Sequence, residues 1–356
     1  MHYELKILRH RKYSYLRTYL LELIINILSS ISTIYLAYIC IFIGFIGLIW
    51  SADRFVAGAA AMAKSFGVTP MIIGLTIVSL GTSAPEVLVA INASLAQSGD
   101  LAIGNALGSN IANIALVLAI TALIARIPIQ KNILIDELPV LILVTLLSGF
   151  VLYDAKVSMF EGWLLAFMLI PTILYLIYRK KKEMSPEELA SEDDIPDMTM
   201  KSAILWFFIG LGLLIGSSKI LVWGGETTAQ HFGVSPLIIG LTVIAVGTSL
   251  PELAASIMSA LKGHHDIALG NIIGSNIFNI LAVMAVPGII YPTVMDESVF
   301  SRDYIAMFTI TVLLLILMAI SLVKHRHSDK AGIGRAAGLV LLASYIGYYV
   351  LLFQSS

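Results

Sequence analysis

Gly81-Thr82-Ser83-Ala84-Pro85-Glu86 is a short polar stretch inside a long apolar run of the chain. Apolar residues precede it from Met71 to Leu80 and follow it from Val87 to Val89. On insertion scales a charged residue at the centre of a membrane helix costs roughly 2.5–3.5 kcal/mol, so a carboxylate there indicates a functional site. The stretch returns as Gly247-Thr248-Ser249-Leu250-Pro251-Glu252. Two matching copies argue against a chance occurrence.

The composition of the whole chain indicates a membrane protein. Of its 356 residues, 58% are hydrophobic and only 13% are charged. A soluble domain carries roughly 25% charged residues, so the composition excludes a soluble protein. The net charge of −1 gives no indication of a nucleic-acid partner. The single cysteine, Cys40, excludes a disulfide within the chain.

Ten apolar runs approach or exceed the ~20 residues that a helix needs to cross a bilayer. They cover 35–62, 70–97, 101–124, 133–153, 160–178, 201–229, 236–261, 267–290, 303–323 and 334–353. The sequence therefore predicts an all-α integral membrane protein with about ten transmembrane helices. The predicted divisions are a basic N-terminal extension (1–34), a first five-helix repeat (35–179), a hinge loop (180–200) and a second five-helix repeat (201–356).

The two halves are copies of each other. With an offset of 166, residues 67–120 align without a gap to residues 233–286, and about half of the aligned positions are identical. Such a match indicates an internal duplication. A half with an odd number of spans inserts upside-down relative to its copy. We therefore expect an inverted repeat whose equivalent residues meet near the bilayer midplane.

Basic residues in alternate loops predict the orientation. One side collects Lys64, Arg126, Lys131, Arg179, Lys180, Lys181, Lys182, Lys262, Lys324, Arg326, Lys330 and Arg335. By the positive-inside rule the hinge loop is cytoplasmic and both termini lie outside the cell membrane. The basic residues 1–18 contradict this orientation. An interfacial helix, a cleaved signal-like segment, an extra element and a misassigned start all stay open for 1–34.

Each Pro-Glu motif offers oxygen ligands around one point. A proline inside a helix cannot donate its N–H, so Pro85 frees the carbonyl of Gly81. Thr82 and Ser83 precede Glu86 by four and three residues, which places both hydroxyls on the helix face of that carboxylate. Carbonyl, hydroxyl and carboxylate oxygens suit Ca²⁺ and Na⁺ better than zinc or copper.

The second polar motif of each half is a stripe of amide and hydroxyl side chains spaced four residues apart, Asn105, Ser109 and Asn113 and then Asn271, Ser275 and Asn279. Gly104 and Gly108 have the spacing that lets another helix approach closely. A single stripe or glycine pair of this kind more often serves helix packing than ion binding. Because both features are duplicated and accompany the Pro-Glu motifs, they favour an ion site here. Packing and ion binding stay equally open for Asn105, Asn110, Asn271 and Asn276.

Other motifs point away from catalysis. The histidines at 231, 264, 265, 325 and 327 map to predicted loops, where we expect them to be solvated. The sequence contains no His-Glu-x-x-His, P-loop or Gly-x-Ser-x-Gly motif, which argues against an intramembrane protease or an ATP-driven pump. We therefore expect a protein that is not an enzyme and needs no cofactor.

At these motifs the chain resembles the cation/Ca²⁺ antiporter superfamily, and within it the prokaryotic sodium/calcium exchangers. G-T-S-x-P-E and G-N-x-x-G-S-N-x-x-N look like the two alpha-repeats of that family. The resemblance implies ten helices in two inverted halves, carbonyl ligands at Ser79 and Ala245, and an ion site of Thr82, Ser83, Glu86, Ser109, Asn113, Thr248, Ser249, Glu252, Ser275 and Asn279. Two departures are Asn279, where some exchangers carry Asp, and Ser79, where Ala is common.

The expected mechanism is secondary transport by alternating access, in which Ca²⁺ exchanges for Na⁺ or H⁺. Two carboxylates close together in hydrocarbon need cations or protons to neutralise them, which favours mutually exclusive occupancy. Glu86 and Glu252 carry two negative charges, balanced by one Ca²⁺, two Na⁺ or two H⁺, so the simplest cycle is electroneutral. An H⁺-coupled or K⁺-involving antiporter of the same fold, a cation channel and a non-transporting scaffold stay open as alternatives.

Overall fold

The computed structural model of the chain describes residues 2–183, 198–234, 245–325 and 330–355, with side chains of the first helix described from Thr33 onward. The first half contains α1 (His2–Phe66), α2 (Pro70–Ile73), α3 (Ser79–Thr82), α4 (Ala84–Leu95), α5 (Gly99–Ala112), α6 (Ala119–Ile124), α7 (Lys131–Ile135), α8 (Glu137–Leu152) and α9 (Met159–Glu183). The described second half contains α10 (Met200–His231), α11 (Ala245–Thr248), α12 (Leu250–Leu261), α13 (His265–Phe278), α14 (Ala285–Ile290), α15 (Ile305–Lys324) and α16 (Arg335–Ser355).

Short π-helical segments interrupt or extend several of these helices. They are π1 (Gly74–Val78), π2 (Asn113–Leu118), π3 (Asn279–Val283) and π4 (Val299–Tyr304). π2 and π3 follow α5 and α13 directly, so each Asn/Ser stripe runs into a π segment at its last asparagine. Segments of this kind are often found at functional sites. The sequence did not predict them.

The structure confirms an all-helical membrane protein. Eight helices of the described chain are long and apolar enough to cross a membrane, and a ninth is formed if Pro70–Thr82 and Ala84–Leu95, bent by 42°, count as one span. The remaining predicted span, 236–261, is described only from Ala245 onward and includes the shorter apolar helix Leu250–Leu261. The count of ten therefore stays a prediction.

Two short antiparallel strand pairs depart from the predicted all-α structure. β1 (Ile127–Pro128) pairs with β4 (Gly332–Ile333), and β2 (Lys156–Val157) pairs with β3 (Thr293–Val294). Each strand has two residues, which is too short to leave a periodic pattern in the sequence. Each pair joins a loop of the first half to a loop of the second.

The two stripe-bearing helices lie at the centre of the molecule. In the most apolar window of Gly99–Ile124, 78% of residues are buried inside the protein, and in His265–Ile290 the share is 83%. The corresponding shares for Thr33–Phe66 and Met200–His231 are 22% each. Because the apolar surface of these outer helices faces outward, the bilayer is the environment that suits them.

The predicted hinge begins too early. α9 continues to Glu183, and Lys180 is 6% exposed, with its ammonium 2.9 Å from the carboxylate of Glu137. Arg179 donates to Asp136 in the same way, at 2.7 Å. These two pairs hold the end of α9 against the start of α8, so Lys180 is not the solvated loop residue that we predicted. Residues 184–197 of the hinge lie outside the described residues.

Two further expectations about boundaries differ from the structure. α1 runs without a break from His2, so the predicted border between 34 and 35 falls inside a helix. His231 is the last residue of α10 and His265 is the first of α13, where the sequence predicted loops. His265 is half-buried, His264 and His325 are helix-capping residues, and His327 lies outside the described residues. At His231 and His265 the helices are therefore longer than the apolar runs suggested.

Candidate cation site

Each Pro-Glu motif lies at a break between two helices. Ser83 (φ −83°, ψ 4°) separates α3 from α4, and Ser249 (φ −89°, ψ 5°) separates α11 from α12. Pro85 and Pro251 then stand in the first helical turn, where a missing N–H costs nothing because no intrahelical acceptor is available there. The sequence predicted each proline inside a helix, whereas the structure places it at the start of the second of two helices.

The break places Glu86 and Glu252 in the first turns of α4 and α12. The N-terminal end of a helix carries a partial positive charge that favours a carboxylate. Each side chain is 1% exposed. In each, the Oε2 atom is buried and has no hydrogen-bond partner among the described residues. Each half therefore contributes one buried carboxylate oxygen without a partner in the described chain.

The hydroxyls of the first motif contact the second half. Ser83 Oγ donates to Glu252 Oε1 at 3.2 Å. Thr82 Oγ1 donates to Asn271 Oδ1 at 3.0 Å and lies 3.5 Å from Ser275 Oγ. We expected both hydroxyls to lie on the helix face of Glu86, but the chain leaves helical geometry at Ser83, and this redirects them across the repeat.

The stripes supply the remaining predicted side chains. Ser109 is 4% exposed, and Ser275 is fully buried. Asn113 and Asn279 are each 1% exposed and begin π2 and π3. Asn113 Nδ2 donates to Asn276 Oδ1 at 3.3 Å. The buried Oδ1 atoms of both stripe-ending asparagines have no partner in the described part of the chain.

Thr248 and Ser249 differ from their first-half equivalents. Ser249 is 1% exposed and its buried hydroxyl has no hydrogen-bond partner within the described ranges. Thr248 is half-buried and lines a cavity of about 370 Å³ together with Pro85, Lys219 and Glu226. This cavity connects the second motif with α4 and α10. Sequence reasoning missed Lys219, because an isolated lysine in an apolar run carries no motif.

The backbone carbonyls near the two Pro-Glu motifs accept different hydrogen bonds in the two halves. The Ser79 carbonyl accepts the N–H of Ser83 at 3.0 Å, whereas the N–H of Ser249 goes to Val246 at 3.1 Å rather than to Ala245. The Gly247 carbonyl, four residues before Pro251, accepts the hydroxyl of Ser218 at 3.0 Å. The ligand role that the resemblance implies for the carbonyls of Ser79 and Ala245 stays a prediction.

Three of the four asparagines left open by the sequence make contacts that indicate their role. Asn271 uses both ends of its amide, accepting from Thr82 and donating to Ser256 Oγ at 3.1 Å, which favours packing. Asn110 Nδ2 donates to Met307 Sδ at 3.4 Å. Asn276 accepts from Asn113. Asn105 is half-buried, and its buried Nδ2 has no partner among the described residues.

The predicted close approach of helices at glycines occurs in the second half. A Cβ at Gly270 would lie 2.9 Å from the Met71 carbonyl, and one at Gly274 would lie 2.7 Å from the Leu75 carbonyl. No described atom lies within 4 Å of a Cβ built at Gly104 or Gly108. With the offset of 166, their equivalent partners fall at 237 and 241, outside the described residues, so the prediction for the first half stays untested.

Within the described chain, five of the six unpartnered buried atoms of the predicted site residues are oxygens. They are Glu86 Oε2, Glu252 Oε2, Asn113 Oδ1, Asn279 Oδ1 and Ser249 Oγ, and the sixth atom is Asn279 Nδ2. Hard oxygen donors with a total charge of −2 suit Ca²⁺ or a pair of monovalent cations. Across the described residues no group of three His, Cys, Asp or Glu could hold a metal ion, so the site does not resemble one for zinc or copper.

Comparison with known proteins gives one consistent family. The family model for the sodium/calcium exchanger protein matches residues 36–178 and 202–354. A putative antiporter CaxA from Alkalimonas amylolytica is 47% identical over 90% of this chain and 99% of its own length. The inner membrane protein YrbG of Escherichia coli (strain K12) is 39% identical over 90% of this chain and 98% of its own length.

Solved structures agree with these sequence matches. The sodium-calcium exchanger NCX_Mj, in a crystal soaked with 10 mM Na⁺ and zero Ca²⁺, is similar with a TM-score of 0.75 and 28% identity. The match covers 89% of this chain and 99% of that chain. The same protein soaked with 10 mM Na⁺ and 10 mM Sr²⁺ gives a TM-score of 0.74 and 29% identity.

Proposed function

We propose that this chain, which belongs to the sodium/calcium exchanger protein family, carries Ca²⁺ across the cell membrane in exchange for Na⁺ or H⁺ at one site between its two halves. The family is one of cation/Ca²⁺ antiporters, and the chain is accordingly a transporter with Ca²⁺ and monovalent cations as substrates. The ten predicted residues form the proposed site, with Glu86 and Glu252 at its centre.

The observation that carries this proposal is the pair of buried carboxylates. Glu86 and Glu252 come from equivalent positions of the two halves, each is 1% exposed, and each has one oxygen without a partner in the described chain. Two bare carboxylates in a water-poor environment are strongly unfavourable unless cations or protons neutralise them. The site therefore favours a loaded state.

The charge of the site supports exchange rather than leakage. One Ca²⁺, two Na⁺ or two H⁺ would each balance the two carboxylates. These loads compete for the same oxygens, so release of one leaves the site ready for another. A site that reorients only when neutralised couples the two fluxes, because a bare −2 site would carry uncompensated charge into the hydrocarbon.

The strand pairs support an inverted repeat. The loop after the third predicted helix of the first half (Ile127–Pro128) pairs with the loop before the last helix of the second half (Gly332–Ile333). Lys156–Val157 and Thr293–Val294 pair in the reciprocal way. Successive loops of one half lie on opposite sides of a membrane. In each strand pair, the loop between the third and fourth helices of one half meets the loop between the fourth and fifth helices of the other half. These two loops lie on the same side of the membrane only if the two halves have opposite orientations.

The distribution of basic residues completes the proposed arrangement. Arg126 and Lys330 belong to the β1–β4 side, where the Arg126 guanidinium donates to the Lys330 carbonyl. By the positive-inside rule this side is cytoplasmic, together with the hinge, and the C-terminus lies outside. The β2–β3 side then faces outward.

Replacing either carboxylate tests the site. Glu86→Gln and Glu252→Gln each remove one negative charge while keeping the size of the side chain, so we expect uptake of labelled Ca²⁺ into vesicles to fall at least about 100-fold, since each lost charge removes several kcal/mol of cation binding. The uptake is driven by an outward Na⁺ or H⁺ gradient. Glu297→Gln, at an exposed glutamate outside the site, is the matched control and should transport normally. Near-normal uptake in both site variants would refute the assignment.

Applying the Na⁺ gradient and the H⁺ gradient in separate experiments identifies the coupling ion. The oxygens of the site bind Na⁺ and accept H⁺ alike, so an H⁺-coupled or K⁺-involving cycle of the same fold is the alternative to Na⁺ coupling. Wild-type uptake under an outward Na⁺ gradient at equal pH supports Na⁺ coupling. Uptake that needs a pH gradient and ignores Na⁺ supports H⁺ coupling, and a requirement for K⁺ on the Ca²⁺ side supports the third cycle.

A further inference from the structure

We propose that Asn276 is a positioning residue that holds the amide of Asn113 with its oxygen towards the cation site. Asn279, which corresponds to Asn113 in the second half, has no such partner among the described residues. Asn276 is not among the predicted ligands. The inference rests on the proposed function, because it concerns how one ligand of that site is oriented.

The contact that carries the inference is a hydrogen bond between two buried amides. Asn113 and Asn276 are each 1% exposed, and Asn113 Nδ2 donates to Asn276 Oδ1 at 3.3 Å. An amide side chain has one oxygen and one NH₂ group at opposite ends of its planar head. Engaging the NH₂ group with Asn276 therefore directs Asn113 Oδ1 away from it, and this oxygen has no partner within the described residues.

The opposite orientation of the pair is unfavourable when a cation is bound. If both amides were turned over, Asn276 would donate to Asn113 Oδ1, and the NH₂ group of Asn113 would face the site. A cation attracts an amide oxygen and repels an amide NH₂ group. The orientation of an amide follows from its hydrogen-bond network, and a bound cation favours the orientation in which Asn113 Nδ2 donates to Asn276 Oδ1.

The second half lacks this arrangement. The offset of 166 makes Asn110 the equivalent of Asn276 and Asn279 the equivalent of Asn113. Asn110 donates its NH₂ group to Met307 Sδ at 3.4 Å instead of accepting from Asn279. Neither end of the Asn279 amide has a hydrogen-bond partner in the described chain. Asn113 thus has an amide partner, whereas Asn279 has none within the described residues.

A ligand held in its binding orientation loses less entropy when the cation binds. Removal of the acceptor at Asn276 should therefore weaken Ca²⁺ binding without affecting the steps that move the loaded carrier. In Asn276→Ala we expect the Michaelis constant for Ca²⁺ to rise about five-fold, as for the loss of one net hydrogen bond, while the maximal rate changes less than about two-fold.

Asn110→Ala is the matched control. It removes the same buried side chain, 1% exposed, from the equivalent position of the other half. Because Asn110 bonds to Met307 and not to a ligand, its Michaelis constant for Ca²⁺ should stay within about two-fold of wild type. Equal rises in both variants would overturn the inference, because they would indicate a packing effect common to the two positions.

A double-mutant cycle separates positioning from packing. If Asn276 acts through Asn113, Asn276→Ala adds nothing to the Michaelis constant once Asn113→Ala is present. Full additivity of the two changes would overturn the inference. Asn276→Ser, whose shorter side chain does not reach Asn113 but keeps a polar group, gives the same test if the alanine variant does not fold. Absence of exchange in the wild type would refute the proposed function instead, so the two failures are distinguishable.

Discussion

In the proposed site, Asn279 is the residue whose side chain decides the total charge. Its amide is 1% exposed, and neither end has a hydrogen-bond partner among the residues described. The neighbouring carboxylates, Glu86 and Glu252, supply the only two formal charges among the ten predicted site residues. A neutral amide here keeps the site at −2, which matches one Ca²⁺ or two monovalent cations.

Asn279→Asp should make transport sensitive to membrane potential. A third carboxylate raises the charge of the site to −3, so we expect a third monovalent cation to bind and one net charge to move in each cycle. The measurement is Ca²⁺ uptake into vesicles under an imposed K⁺ diffusion potential, with Asn279→Ala as a control for the loss of the amide. Reversal of the potential should change uptake at least about two-fold in the aspartate variant alone. Equal responses in wild type and variant would contradict this account.

The sequence predicts which residues form the proposed site, but it could not predict the contacts that these residues make. Glu86 and Glu252 stand out because their motif is duplicated in apolar surroundings. The direction of Ser83, which donates to Glu252 across the repeat, depends on the backbone angles at a helix break that the sequence did not reveal. The use of Asn271 as a packing residue likewise depends on Ser256, fifteen positions away and in no motif.

At the scale of helices, glycines bring the second stripe against the first motif. Gly270 and Gly274 of α13 face the carbonyls of Met71 and Leu75, at distances that leave no room for a side chain. This close packing places Ser275 beside Thr82. Small residues let membrane helices approach so that their polar groups meet.

Gly274→Val should separate these helices. The first atom of the new side chain would lie 2.7 Å from the Leu75 carbonyl and 2.6 Å from Ser79 Oγ, so the helices must move apart. Overpacking of this kind costs about 1–3 kcal/mol, and we expect a lower melting temperature in detergent and reduced Ca²⁺ uptake. Gly347→Val, at an exposed position with no atom of the described chain within 4 Å, is the control. The same loss of melting temperature in both variants would count against the packing role.

The sequence patterns predicted the positions of the helices better than their ends. Apolar runs located the spans because length and hydropathy are local properties. The apolar runs predicted an end of α9 that is too early. The sequence around Lys180 is typical of a solvated lysine, but in the structure Lys180 is buried and paired with Glu137 of the preceding helix. The π segments at Asn113 and Asn279 and the two-residue strands leave no periodic signal in the sequence.

At the scale of the whole molecule, the two strand pairs mark opposite sides of the membrane. Val294 lies in β3, next to the loop of the first half, and is 71% exposed. Lys330 is exposed beside the β1–β4 pair. In the proposed orientation Val294 faces outward and Lys330 faces the cytoplasm.

Labelling with a membrane-impermeant maleimide checks this orientation. In a Cys40→Ser background, Val294→Cys should react in intact cells, whereas Lys330→Cys should react only after the membrane is permeabilised. The physical reason is the concentration of basic residues on the β1–β4 side. Reaction of Lys330→Cys, but not of Val294→Cys, in intact cells would show that the proposed orientation is reversed.

We propose that one buried site couples Ca²⁺ transport to a monovalent cation or proton. The measurement that tests this coupling is Ca²⁺ uptake into vesicles containing the purified protein, with an outward Na⁺ gradient, with an outward H⁺ gradient and with neither. We expect uptake with at least one gradient, none without a gradient, and loss of uptake when an ionophore collapses the gradient that drives it. Equal uptake without any counter-gradient would indicate a channel and would contradict the account, as would the absence of uptake under both gradients.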